Sequence, residues 1–136
     1  MIAMNRSIEQ SEKFGNNGHK VRILIADDQP KVRYALQVLL ANQPGIEVIG
    51  EAVDADELLC KAEKNNTDMV LLDWELPGFT DVQLLEQLRL AIPEIAVIAL
   101  SGRAEAGDAA RSAGVNEFVS KVEPPEYLLS AIAKYA

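Results

Sequence analysis

Two apolar runs in this chain end in carboxylates, and this pattern limits its fold more than any other feature. Residues 69–72 lead directly into Asp73, and residues 21–26 lead into Asp27 and Asp28. Apolar runs of this length are typical of strands buried on both faces, as in parallel sheets. Such a strand has little reason to end in a charge unless its end lines a site. The sequence therefore predicts three acids at the carboxyl edge of one sheet, where open α/β sheets bind ligands.

The three predicted acids also constrain one another. Clustered carboxylates repel, which raises their pKa values unless a cation lies among them. Hard divalent cations with oxygen ligands suit such a cluster. Taken singly, Asp27 or Asp28 could instead be a helix N-cap. Taken together, the acids indicate a metal site.

The remainder of the chain alternates strand-like and helix-like segments. Apolar runs predict strands at residues 21–26, 46–50, 69–73, 95–100 and 117–120. Helical spacing of apolar residues predicts helices from Pro30 to about residue 42, around 58–65, around 82–88, at 104–113 and from Pro125 to Tyr135. Five strands alternating with five helices imply an α/β fold with a parallel sheet wound by right-handed crossovers.

Size and charge exclude several classes of protein. With 136 residues, of which 49% are apolar, the chain suits one domain with one sizeable core. The formal charge of −8 argues against a nucleic-acid-binding surface, which needs an excess of Lys and Arg on one face. Cys60 is the single cysteine, which excludes an internal disulfide and suits a reducing cytoplasm. Because Cys60 lies beside an apolar helical stripe, we expect it to be a small core residue.

The first 20 residues fit none of the predicted units. They mix charged and polar residues with the run Gly15, Asn16, Asn17 and Gly18. This composition predicts a mobile N-terminal extension, residues 1–20, followed by one domain over residues 21–136. Neither a secretory signal nor a run of about 18 apolar residues is present. We therefore expect a soluble, cytoplasmic protein that does not contact membranes.

Five residues at the predicted strand ends resemble the phosphoacceptor site of the receiver domains of two-component response regulators. They are Asp27 and Asp28 after strand one, Asp73 after strand three, Ser101 after strand four and Lys121 after strand five. The resemblance covers about residues 21–136, and segments 21–28 and 46–52 are most similar to receivers of the LuxR-type subfamily. It implies a doubly wound, five-stranded parallel sheet in the flavodoxin-like order 2-1-3-4-5, with helices on both faces.

The resemblance also implies a phosphoryl-transfer role for each of these residues. Asp73 would be the nucleophile that accepts the phosphoryl group of a phosphohistidine, from a sensor histidine kinase or a phosphotransfer protein. Asp28 and Asp73 would bind Mg²⁺ directly, with the backbone carbonyl of Glu75, while Asp27 would act mainly through a bound water. Such a chain is a signalling domain that assists its own phosphorylation and dephosphorylation, not an enzyme.

Two further positions complete the implied phosphoryl site and its output. Lys121 would supply a point charge for the phosphoryl oxygens, and the Ser101 hydroxyl would donate a hydrogen bond to another of them. In the family, a hydroxyl residue at the Ser101 position moves toward the phosphoryl group, and an aromatic residue three before the lysine turns inward. Phe118 holds that position here, so Ser101 and Phe118 are the implied switch, and an ordinary core aromatic on strand five is the less favoured alternative for Phe118.

Other readings of the same residues remain open. A phosphatase of the haloacid-dehalogenase type would need its nucleophile on strand one and a second acid two residues later, where this chain has Gln29. A flavodoxin-like carrier would need a phosphate loop after strand one, where Asp27 and Asp28 would repel phosphate. A pseudo-receiver without Mg²⁺ binding would keep the fold and lose the switch.

The chain departs from the receiver pattern at two places. Val122 follows Lys121 where the family usually has a proline in a cis bond, so we expect a trans bond and a somewhat displaced Lys121, because a cis bond here costs about 3 kcal/mol. Phe79 and Thr80 stand where the family often has a glycine, so the start of the third helix is expected to differ.

Glu75 and Arg103 form the predicted rim of the site. Each lies two residues past a strand-end residue, so both side chains should project over the site mouth. If they pair, they would screen an acyl phosphate from water. Because exposed ion pairs contribute only about 0–1 kcal/mol, two separately solvated side chains are the favoured alternative.

The predicted output surface rests on family resemblance and on nearness to the implied switch. A phosphorylation-dependent homodimer or an effector would contact the face of the last two helices and last strand, around Arg111, Phe118 and Tyr127. The pairing of the first helix with the last is the alternative surface. No direct contact of this chain with nucleic acid is expected.

Overall fold

The computed structural model describes residues 19–78 and 81–136, and within them strands and helices alternate. The strands are β1 (Val21–Ala26), β2 (Ile46–Ala52), β3 (Met69–Asp73), β4 (Ala96–Ser101) and β5 (Glu117–Ser120). The helices are α1 (Pro30–Ala41), α2 (Ala55–Lys64), α3 (Asp81–Ala91), α4 (Gly107–Ala113) and α5 (Pro125–Tyr135). All strand pairs are parallel and their order is β2-β1-β3-β4-β5, which confirms the predicted fold class.

The sheet separates two apolar layers, because successive strand residues point to opposite faces. Ile23 and Ile25 of β1 pack in the layer that contains residues of α1 and α5. Leu24 and Ala26 pack in the opposite layer with residues of α2 and α3. A smaller cluster around Trp74 joins α4 to β4 on that second side. The middle strands are buried on both faces, which explains their continuous apolar runs.

Strand β2 is longer than predicted and irregular. It extends to Ala52 rather than ending at Gly50. Its register against β1 shifts, because Ile23 is paired with Val48 whereas the next residue, Leu24, is paired with Gly50. One residue of β2 is therefore extra, which is the arrangement of a β-bulge.

Two local predictions are wrong. The predicted helix 104–113 begins as a 3₁₀ turn, Ala104–Ala106, and becomes α-helical at Gly107. Cys60 is exposed rather than buried. On α2 the buried residues Leu58 and Ala62 are four apart and share a face, and Cys60, midway between them, lies on the opposite face.

Some predictions fall outside the described part of the chain. The predicted mobile extension falls almost wholly in residues 1–18, and the predicted difference at the start of the third helix concerns Phe79 and Thr80. Both stay predictions. Within residues 19–78 and 81–136, no helix is long and apolar enough to cross a membrane.

Candidate functional site

The three predicted acids meet at the carboxyl edge of the sheet. Asp27 and Asp28 follow β1 and Asp73 ends β3, and because these strands are parallel neighbours their ends lie side by side. Carboxylate oxygens of the three residues lie within 4.8 Å of one another. Asp27 and Asp73 are buried, at 1% and 3% exposure, while Asp28 is open to solvent. Three hard oxygen donors, one of them facing water, fit the preference of Mg²⁺ for a few carboxylates completed by water or phosphate.

Lys121 places its ammonium among these acids. Its Nζ lies 2.8 Å from Oδ2 of Asp27 and 3.3 Å from Oδ1 of Asp73. The backbone amide of Lys121 also donates to the carbonyl of Ser101, which fixes the start of the β5–α5 loop against β4. The bond from Lys121 to Val122 is trans, as predicted. The expected displacement of Lys121 does not separate it from the acids, since the side chain reaches both carboxylates.

Burial and charge shift two pKa values in this cluster. For Asp73, burial is the largest influence and raises the pKa of the carboxyl, although the Glu75 amide and the Lys121 ammonium oppose the shift. For Lys121, burial lowers the pKa, but the hydrogen bond to Asp27 and the negative charges of Asp73 and Asp27 outweigh it and raise the pKa. Lys121 therefore stays charged near neutral pH, and an ionised Asp73 is held at a cost that a bound cation would relieve.

Short backbone turns orient two of the carboxylates. The amide of Gln29 donates to Oδ1 of Asp27 at 2.9 Å, and the amide of Glu75 donates to Oδ1 of Asp73 at 3.0 Å. Both bonds span two residues, the spacing of an Asx turn. Gln29, not Asp27 or Asp28, occupies the N-cap position of α1, and it makes no side-chain cap. The N-cap alternative for these acids is therefore wrong.

Ser101 makes a contact that the sequence did not reveal. Its Oγ is fully buried and lies 3.0 and 3.1 Å from the two carboxylate oxygens of Glu75, to which it donates. The Arg103 amide in turn donates to Ser101 Oγ at 3.0 Å. In this state the hydroxyl is held by the rim residue rather than directed at Asp73. Glu75 and Ser101 come from the ends of adjacent strands, and only that adjacency could have suggested the contact.

The rim residues are paired. The Arg103 guanidinium lies 3.3 Å from Oε2 of Glu75. The favoured expectation of two separately solvated side chains is thus wrong for this structure, because the bond from Ser101 already holds the Glu75 carboxylate in place for Arg103. Asp28, Asp73, Glu75, Arg103 and Lys121 line one open pocket.

Phe118 packs beside the site against α4. The Arg111 guanidinium lies 5.7 Å from the centre of its ring, within cation–π range. A Cβ at Gly107 would lie 3.1 Å from the Phe118 ring, so the ring packs directly on the backbone of α4. Phe118 is half-buried, and Trp74, Ala106 and Ala110 form the apolar surface beside it. The ring thus has both a buried and an open side.

Comparison with known proteins agrees with this geometry. A family model of the response regulator receiver domain matches residues 23–133. The chain belongs to this family. It is 31% identical over 123 residues to the nitrate/nitrite response regulator protein NarL of Escherichia coli, a match that covers 89% of this chain and 57% of NarL. It is 28% identical over 116 residues to the response regulator protein VraR of Staphylococcus aureus, covering 84% of this chain and 56% of VraR. The chain thus spans little more than half the length of these relatives.

Solved structures support the same family. A two-component response regulator of the LuxR family from Aurantimonas sp. SI85-9A1 superposes with a TM-score of 0.77 at 28% identity, covering 85% of this chain and 84% of that one. CheY of Borrelia burgdorferi, solved in a CheX–CheY–BeF3–Mg complex, superposes with a TM-score of 0.78. At 21% identity, with 92% and 96% of the two chains covered, that likeness shows the fold alone. The relatives support a LuxR-type receiver.

Proposed function

We propose that this chain accepts a phosphoryl group on Asp73 in a Mg²⁺-dependent reaction and changes conformation to signal downstream. The donor is a phosphohistidine of a sensor histidine kinase or a phosphotransfer protein. The contact of the Lys121 ammonium with both Asp27 and Asp73, beside the exposed Asp28, carries the proposal. This grouping supports the proposal, because the acid proposed as the nucleophile lies beside an ammonium and two further acids.

The reaction requires little covalent chemistry from the protein. A carboxylate oxygen of Asp73 attacks phosphorus, the P–N bond of the phosphohistidine breaks, and its electron pair stays on the imidazole nitrogen, which takes up a proton. Asp28, Asp73 and the Glu75 carbonyl would hold Mg²⁺, and Asp27 would act through a water. When bound, the ion supplies neutralising charge for the phosphoryl oxygens. Lys121 would exchange its contact with Asp73 for a phosphoryl oxygen and keep its contact with Asp27.

The proposed conformational change begins with loss of the hydrogen bond from Ser101 to Glu75. To donate to a phosphoryl oxygen, its hydroxyl has to leave Glu75, which it contacts at 3.0 Å. The incoming negative charge favours that exchange, because it repels the Glu75 carboxylate. Movement of Ser101 opens space that Phe118 can fill from β5. The face around Arg111, Phe118 and Tyr127, or the pairing of α1 with α5, then contacts an effector or a second copy.

The proposed role is that of a signalling domain acting in the cytoplasm, and not that of an enzyme with turnover on a separate substrate. The comparisons support a receiver, and the reaction above involves no nucleic acid. The haloacid-dehalogenase alternative is disfavoured by Gln29, whose exposed side chain lies where that class needs a second acid.

Phosphorylation by a small donor tests the proposal. Incubation with acetyl phosphate and Mg²⁺, followed by intact mass, should show one added phosphoryl group. Asp73→Asn should abolish the addition, whereas Asp56→Asn, which removes an exposed acid on α2, should not. No addition to the wild-type protein under any condition would sink the proposal, as would undiminished addition to Asp73→Asn.

A further inference from the structure

Arg33 connects the acidic cluster to a second charged group that the proposed reaction does not use. From α1, its Nη1 donates to the backbone carbonyl of Asp27 at 2.8 Å. Its Nε donates to Oε1 of Glu51 at 2.7 Å. The side chains of Arg33 and Glu51 are 16% and 34% exposed, so the pair is partly shielded from water. One planar guanidinium therefore joins the metal-site loop to the end of β2.

Glu51 is itself held from two sides. Gln37 of α1 donates to its second carboxylate oxygen at 2.8 Å. Lys61 of α2 donates to its backbone carbonyl at 2.6 Å. The carboxylate thus forms a fixed anchor for Arg33, with helices on both sides of the sheet contributing.

The backbone of Asp27 is consequently fixed at both of its polar groups. Its amide donates to the carbonyl of Ala52 at 3.0 Å, and its carbonyl accepts from Arg33. Its side chain is fixed as well, by Gln29 on one oxygen and Lys121 on the other. Without Arg33, the peptide that joins Asp27 to Asp28 would lose the side-chain donor at its carbonyl and gain rotational freedom.

We infer that Arg33 is a positioning residue for the metal site, which acts by orienting the Asp27–Asp28 peptide through a bridge to Glu51. This inference rests on the proposed function, because it assigns Arg33 to the same Mg²⁺ site. In this role Arg33 would act through the Asp27 backbone and not as a ligand of the ion. It sets the direction in which the two carboxylates leave the backbone.

Positioning and simple charge predict opposite effects of removing Arg33. If its positive charge merely repelled the ion, neutral Arg33→Met would bind Mg²⁺ more tightly. The pairing with Glu51 at 2.7 Å offsets that charge, so repulsion is small. Loss of an outer partner of a metal ligand typically weakens binding by about 10–100-fold. We expect Arg33→Met to weaken Mg²⁺ binding by about tenfold, at the lower end because the contact is to backbone.

The experiment is a Mg²⁺ titration of the whole chain. The fluorescence of Trp74, the only tryptophan and the residue after Asp73, reports binding, and calorimetry gives the same constant independently. Arg22→Met is the matched control. Arg22 also donates to backbone carbonyls, those of Asn65 and Asn66, and pairs with Glu47, but at the amino edge of the sheet. It should lower the melting temperature and leave the Mg²⁺ dissociation constant unchanged.

Arg33→Lys covers the case in which Arg33→Met fails to fold. An ammonium can replace one of the two contacts and keeps the charge, so it should weaken binding less than Arg33→Met but measurably. Unchanged or tighter binding in the folded Arg33 variants would overturn the inference, and so would equal weakening in Arg22→Met. If wild type itself gives no Mg²⁺ response, both this inference and the proposed function fail. A normal wild-type response with unaltered variants overturns the inference alone.

Discussion

Replacing Arg103 with alanine is expected to shorten the lifetime of the phosphoryl group on Asp73. The pair of Arg103 with Glu75 lines the open pocket beside Asp73, where we expect it to restrict the approach of water to an acyl phosphate on Asp73. The two side chains keep 62% and 41% exposure, so the pair is worth at most about 1 kcal/mol. Since about 1.36 kcal/mol corresponds to a tenfold rate change, the lifetime should fall by about two- to fivefold.

The assay follows the decay of phosphorylated protein. The protein is phosphorylated with acetyl phosphate and Mg²⁺, the donor is removed, and the remaining phosphorylated fraction is read by intact mass over time. Because exposed pairs are screened by salt, raising the ionic strength should shorten the wild-type lifetime and change that of Arg103→Ala less.

Two further variants separate the pair from its parts. Glu75→Gln combined with Arg103→Ala should decay no faster than Arg103→Ala alone. Glu47→Ala breaks another exposed pair, with Arg22, that has the same 3.3 Å separation but lies at the other edge of the sheet. Its lifetime should equal that of wild type. Equal lifetimes for wild type and Arg103→Ala would refute the reasoning.

Three other perturbations have expected outcomes. Burial raises the pKa of Asp73, so the folded state loses stability as pH rises through that raised pKa. Asp73→Asn should therefore have a higher melting temperature than wild type at pH 7 without Mg²⁺. This difference in melting temperature should vanish at acidic pH. Gly107→Ala should lower the free energy of unfolding in urea by about 1 kcal/mol, because the cost of a Cβ 3.1 Å from the Phe118 ring exceeds the gain in helix propensity. Gly102→Ala is the control, since its Cβ would meet open space, and it should change the free energy of unfolding by less than about 0.5 kcal/mol. The hydrogen bond from Gln37, together with Arg33 and against the effect of burial, lowers the pKa of Glu51. Glu51→Gln should therefore cost about 1 kcal/mol at pH 7, and this cost should be lost as pH falls through the lowered pKa. A cost that persisted in acid would contradict the last assignment.

The sequence was sufficient for the features that depend on strand order and strand ends. Apolar runs marked the buried strands, and parallel pairing then brings every carboxyl end to one edge. The pairing of β1 with β3 therefore brings Asp27, Asp28 and Asp73 together, independently of the loop conformations. Lys121 also reaches them, because its long side chain extends from the end of β5 past β4 to the ends of β3 and β1, and the trans bond that follows it does not prevent this.

The features that the sequence did not reveal depend on loop geometry at the scale of single bonds. Glu75 was assigned only to the rim and through its carbonyl to the metal, yet its carboxylate takes the Ser101 hydroxyl. No pattern in the sequence singled out Arg33, whose contacts with Glu51 and the Asp27 carbonyl only the structure shows. Spacing along the chain cannot show which of several nearby acceptors a flexible side chain selects, since the alternatives differ by about 1 kcal/mol.

The extra residue in β2 decides which layer of the protein receives a charge. Before the shift, Ile46 and Val48 pair with Val21 and Ile23 and belong to the layer of α1 and α5. With strict alternation Glu51 would fall in the opposite layer, among the apolar residues under α2. The extra residue reverses which face each later β2 side chain points to. Glu51 is therefore paired with Ile25 and contacts Arg33, while Ala52 packs in the layer of α2 and α3. Regular pairing of all seven β2 residues, without the bulge, would exchange the two side chains, so that Glu51 would be buried among apolar residues and Arg33 would lose its carboxylate partner beside the metal site.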